Sequence, residues 1–119
     1  MAPPAHLLKQ AAALTEAALT DWGPVAEPIG LPVSQTSGRL LHRDPDGANE
    51  SGLWVCTPGT WRCHVTRDEF CHFLAGACAY TAEDGTRLEI AGGDAAFFPA
   101  GWRGVCEVRE TVRKTYMIR

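Results

Sequence analysis

The five cysteines, Cys56, Cys63, Cys71, Cys78 and Cys106, contain no C-x-x-C pair. The spacing of a structural zinc site is therefore missing, and an odd set suits reduced thiols better than a disulfide framework. Lys and Arg form no stripe interleaved with aromatics, and the net charge is −3 with a pI near 5.7. No field gathers phosphates, so nucleic acid is not an expected partner. Met1-Ala-Pro-Pro has no basic region, and the apolar stretch 11–20 is broken by Glu16. Neither a leader nor a spanning helix is readable, so a cytoplasmic location without a membrane partner is expected. Internal repeats and low-complexity tracts are absent as well.

What is present is a chain of 119 residues, 45% hydrophobic, with 12 Gly and 8 Pro. That length fits one core, and the Gly and Pro density favours short elements joined by tight turns. Residues 6–18, with Leu7, Leu8 and Leu14 among a run of alanines, allow a helical turn or two, while HLLK alone could be an edge strand. The stretch 22–32 holds three prolines and two glycines, which excludes regular structure and suggests an arm laid over the body. We therefore divide the chain into an N-terminal arm or short helix, 1–36, and a barrel, 37–119.

Within the barrel, apolar runs alternate with turn signals in the rhythm of an all-β sandwich or barrel. The expected strands are 39–43, 53–57, 60–65, 70–74, 77–81, 87–90, 94–98, 104–108 and 111–118. Asp44-Pro-Asp-Gly47 is a turn because proline presets one dihedral and glycine takes the positive one. Ala75-Gly76 is read as the tight turn of a hairpin, and Glu83-Asp-Gly85 as the tip of a second.

Two blocks carry a resemblance. The first is Gly59-Thr-Trp-Arg62-Cys-His64 with Glu69 and Gly76; the second is Gly93-Asp94 followed by Pro99-Ala-Gly101. They are similar to the two-part signature of the cupin superfamily. Gly52-Leu-Trp-Val-Cys-Thr-Pro-Gly59, Asp68-Glu-Phe-Cys71, Phe97-Phe-Pro-Ala-Gly-Trp102 and Arg113-Lys-Thr-Tyr116 resemble the small stand-alone cupins grouped with the cupin domains of ureidoglycine aminohydrolase and an ethanolamine-utilisation protein. The resemblance implies a jelly-roll barrel of two packed sheets, commonly paired as a homodimer.

It also implies a metal site of three histidines and a glutamate. Carried over residue by residue, those ligands fall on Arg62, His64, Glu69 and Gly104, so half the set is missing, and a fixed guanidinium beside the site would repel a divalent cation. No metal and no other cofactor is expected; a divalent transition metal on His64, Glu69 and Cys71 is the lesser alternative. In its place we expect an Arg62–Glu69 ion pair inside the barrel, with His64 and Glu69 as the catalytic proton carriers. Arg62, Cys71, Trp102 and Tyr116 are the expected ligand-binding residues, Trp102 as a lid at the mouth. Arg109, Arg113, Lys114 and Arg119 read as a solvated face. The chain is thus expected to bind a small polar or acidic metabolite in the barrel interior, with acid/base chemistry of hydrolase or isomerase type. The alternative is a non-catalytic ligand-binding or accessory cupin with a degenerate metal site.

Overall fold

The computed structural model describes residues 2–119. Eight strands follow one another: β1 (Thr20–Pro24), β2 (Gln35–Arg43), β3 (Glu50–Cys56), β4 (Gly59–His64), β5 (Glu69–Ala82), β6 (Arg87–Ala91), β7 (Ala95–Phe98) and β8 (Arg103–Ile118). All pairings are antiparallel, in the order β1-β2-β3-β8-β5-β6, with β4 also on β8 and β7 also on β5.

Two long strands, β5 and β8, run side by side and carry everything else. Their first and last portions belong to different layers. The end of β8 pairs β3 over 112–118, and its beginning pairs β4 over 103–108. Likewise the start of β5 pairs β7 and its end pairs β6. Between them the β5–β8 register shifts three times from Phe73 to Cys78, and such bulges bend and twist a strand. The sheet thereby folds over on itself into two layers around one core.

This bend corrects one expectation. Ala75-Gly76 is not a hairpin turn: β5 continues through it, and Gly76 sits within the strand at φ 93. A Cβ there would stand 2.2 Å from the Thr111 carbonyl oxygen, so glycine is required by the close passage of β8 as well as by its backbone angle. For the same reason 104–108 and 111–118 are not two strands but one. The Asp44–Gly47 turn closes as read, the Gly47 amide donating to the Asp44 carbonyl at 2.8 Å.

The arm is less irregular than its prolines suggest. It forms two single 3-10 turns, Ala11–Ala13 and Glu16–Ala18, and then β1. Pro24 is tolerated in β1 because it is an edge strand with only β2 beside it. Arg113 ties the arm down, donating to the carbonyls of Ala11 and Leu14 at 3.1 and 2.7 Å.

The core lies between the layers, where Cys71, Phe73, Cys78, Tyr80, Phe98, Cys106, Val108 and Val112 are all buried. Burying a side chain of phenylalanine size contributes roughly 2–3 kcal/mol. Within it Tyr80, Phe98 and Trp102 form an aromatic cluster with ring centres 4.7 to 5.9 Å apart.

Candidate functional site

Beside this cluster the two layers part and leave a cavity of about 740 Å³, with Tyr80 and Phe98 in its wall. Which side chains reach it follows from strand parity, since residues two apart share a face. On β5 the inward set is Glu69, Cys71 and Phe73, of which Glu69 reaches the cavity; on β8 it is Val112, Lys114 and Tyr116, of which the last two do; on β3 Trp54 lines it. On β4 the residues packed against the core are Trp61 and Cys63. Arg62 and His64 alternate with them and are exposed at the rim.

The expected Arg62–Glu69 ion pair is therefore not formed. Glu69 pairs instead with Lys114, whose Nζ donates to Glu69 Oε2 at 2.8 Å. Lys114 is 6% exposed, so this residue, read from the sequence as part of a solvated face, stands inside the barrel. Its ammonium also lies 3.5 Å from Cys71 Sγ, 4.5 Å from the centre of the Trp54 ring and 5.7 Å from that of Phe73. The aromatic faces stabilise the cation where water cannot.

Burial works against the Lys114 charge, but the Glu69 carboxylate and the two hydrogen bonds prevail and raise its pKa to about 12. The Cys71 thiol donates to the same oxygen, Glu69 Oε2, at 3.1 Å. Burial pushes that thiol up to about 12 even though Lys114 pulls the other way. Cys63, nearby on β4, is raised to about 11, again by burial. Both sulfurs are thus held as thiols, which are poor nucleophiles and poor metal ligands. Glu69 Oε2 takes two donors, while Oε1 has no protein donor among the described residues.

Tyr116 also lines the cavity and donates its hydroxyl to Glu50 Oε2 at 2.6 Å. Glu50 accepts in addition from Arg43 Nε and Nη2 at 2.9 and 2.7 Å. Burial would raise the Glu50 pKa, but these partners outweigh it and lower it. Trp102 lies away from the cavity: its indole packs edge-on against Phe98 and Tyr80 behind the wall, so it is no lid. Of the residues singled out from the sequence, then, Glu69, Cys71 and Tyr116 turn inward, Arg62 and His64 stay at the rim, and Trp102 is set aside.

Comparison with known proteins follows the same lines. Residues 43–116 match the family model of the EutQ-like cupin domain. The chain belongs to that family. Among solved structures, the cupin aligns with a DUF861-family protein of unknown function from Pseudomonas syringae pv. tomato at TM-score 0.79 and 24% identity, over 92% of this chain and 46% of the other. It thus spans just under half the length of that relative. A DUF861-family protein from Thermotoga maritima is 34% identical over 54% of this chain and 73% of its own, at TM-score 0.53. A putative ethanolamine utilization protein Q from Salmonella typhimurium LT2 is 20% identical at TM-score 0.61, covering 73% and 69%. No curated protein matches.

The residues present do not fit the metal centre that the cupin resemblance implies. Two of its four places fall on the rim residues Arg62 and His64. At the fourth, Gly104, a Cβ would meet the Thr81 carbonyl oxygen at 2.2 Å and Trp102 Cη2 at 2.6 Å, so protein fills the room a ligand would need. The remaining carboxylate, Glu69, already holds an ammonium. Among the described residues no three or more His, Cys, Asp or Glu side chains are grouped to hold a metal ion. No helix among them is long and apolar enough to cross a membrane.

Proposed function

We propose that this cupin binds a small polar or acidic metabolite in the cavity between its two layers, and that Glu69 is the group that exchanges a proton with it. One observation carries the reading: Glu69 presents an unshared carboxylate oxygen, Oε1, to an aromatic-walled cavity while Lys114 neutralises and holds its other oxygen. A carboxylate fixed in this way can accept a proton from a bound hydroxyl, amine or acidic C–H and return it elsewhere, as acid/base catalysis of hydrolase or isomerase type requires. The cavity lies within the 300–1,000 Å³ range usual for small-ligand sites. With every cysteine unpaired, we place the protein in a reducing, cytoplasmic setting.

The test is a thermal-shift screen of small carboxylates, alcohols and amines, followed by calorimetry and by NMR of each binder incubated with the protein. Binding with conversion that stops in Glu69→Gln supports catalysis. Binding without conversion leaves the accessory, non-catalytic role. Absence of any binder removes the proposal.

We propose further that the cupin pairs with a second copy through the outer face of β8, β5 and β7. Met117, Phe70 and Phe97 stand side by side in register there, 52, 53 and 56% exposed, and the row continues to Ser51 without a charge. The arm is anchored on this face at Arg39 and Arg113 but leaves these three side chains open. Patches of this kind mark interfaces.

A further inference from the structure

Two carboxylates at the cavity hold cations of their own. Glu69 is matched by Lys114, and Glu50 by Arg43. At the rim, exposed Arg62 and Glu27 are joined through their backbones, the Arg62 amide donating to the Glu27 carbonyl at 2.9 Å. Arg67 also lines the cavity, where its charge helps to lower the Glu50 pKa, and its hydrogen bonds go to uncharged acceptors: Nη2 donates to the carbonyls of Gly47 and Ala48, both at 2.6 Å. Its Nε and Nη1 have no protein acceptor among the described residues. Arg67 therefore keeps uncommitted N–H groups, and these suit a carboxylate.

Arg67 and Glu69 are two residues apart where the β4–β5 connection enters β5. An anion-holding donor and an unshared acceptor, Glu69 Oε1, are thus presented side by side. Lys114 is not available to a ligand in the same sense, because its ammonium is occupied by Glu69, Cys71 and the Trp54 and Phe73 rings. Three of the four tryptophans, Trp22, Trp54 and Trp61, line the same space, Trp54 and Trp61 with ring centres 6.3 Å apart. Such walls take an apolar body.

Building on the proposed metabolite-binding reading, we infer that the ligand is a small hydroxycarboxylate with an apolar or aromatic body, its carboxylate on Arg67 and its hydroxyl donating to Glu69 Oε1. Geometry decides between this and an amino acid. Glu69 already holds the Lys114 ammonium, so a ligand ammonium on Oε1 would set a second cation beside the first, and the donor that fits is an uncharged hydroxyl.

The experiment is calorimetry of the full chain with three probes of one shape: mandelate, phenylacetate, which lacks the hydroxyl, and mandelamide, which lacks the charge. Mandelate is expected to bind at least about tenfold more tightly than either, the worth of one hydrogen bond to a charged group. Arg67→Gln should bring mandelate down to the level of mandelamide, and Arg67→Lys, which keeps the charge and the fold, should restore part of the difference. Glu69→Gln should bring mandelate toward phenylacetate. Equal affinity of mandelate and either analogue in the wild-type protein overturns the inference while leaving metabolite binding intact. So does binding of neutral or cationic compounds from the wider screen with none of the three bound. If nothing in that screen binds, this inference and the reading beneath it fall together.

Discussion

Lys114 and Glu69, 45 residues apart in the chain, meet at 2.8 Å inside the barrel. A buried pair of this kind costs desolvation that its attraction only about repays, but breaking one half leaves a bare charge in poor solvent. The two single substitutions and the double one therefore separate these contributions.

Lys114→Met should destabilise the fold by about 3 kcal/mol, toward the low end for buried pairs because Glu69 keeps some contact with water. That corresponds to roughly 10 °C in Tm. The double variant Lys114→Met/Glu69→Leu should be more stable than Lys114→Met alone. A double variant as unstable as the single would show that packing, and not the orphaned carboxylate, accounts for the loss. Chemical denaturation of the three variants reads this out.

Alkali should destabilise the protein progressively. The thiols of Cys56, Cys63 and Cys71 are raised from 9.0 to about 11, 11 and 12. The unfolded chain thus gives up their protons first, and stability present below about pH 9 is lost as pH rises toward 11–12. Lys114, raised from 10.5 to about 12, contributes with the same sign: its share is complete below 10.5 and gone above 12. Urea midpoints measured from pH 7 to 11.5 should fall from about pH 9 and more steeply beyond 10.5. In Lys114→Met the fall beyond 10.5 should be shallower but not absent, because burial also raises the Tyr80 and Tyr116 hydroxyls above 10.0 and their contribution is lost in the same direction.

Chelators should leave the protein unchanged. Because an ammonium is bonded to the only carboxylate left from the implied ligand set, a transition metal has no adequate donors there. Plasma mass spectrometry of untagged protein should find well under one equivalent, and Tm should be the same with and without a strong chelator. One equivalent that disappears in Glu69→Gln would contradict the geometry.

Self-association should depend on Phe70. Analytical ultracentrifugation is expected to give a dimer for the wild-type chain and a monomer for Phe70→Asp, with Tm nearly unaltered because that side chain is half exposed. A wild-type monomer removes the proposed pairing.

Much of the barrel is legible in the sequence, and the failures have definite causes. Turns announced by Asp-Gly or Pro-Asp-Gly close where expected because their chemistry is local. Ala75-Gly76 misleads because glycine serves a hairpin and a bulge equally well, and only the position of Thr111, far along the chain, decides between them. In β4 a motif aligned on Arg62 and His64 suggests that these face inward, whereas the apolar alternation Trp61-x-Cys63-x-Val65 reports the true face. The same rule would have found Lys114, which alternates with Val112 and Tyr116. A lone lysine in a basic stretch is more readily read as solvated, and the carboxylate and aromatic ring that shelter it lie on other strands. Arg67 gave no signal either, since its uncommitted N–H groups appear only once its partners, the Gly47 and Ala48 carbonyls, are known.

The position of β8 bears on how the protein is made. It is the last strand in sequence, yet β3, β4 and β5 all pair with it. During synthesis the earlier strands emerge with their central partner still missing, so neither layer can close until residue 118 has cleared the ribosome. Until then β3 and β5 expose unpaired edges and apolar faces to solvent. Chaperone demand should therefore concentrate on the stage before the sixteen-residue β8 is complete, since that strand is the seam joining the two layers.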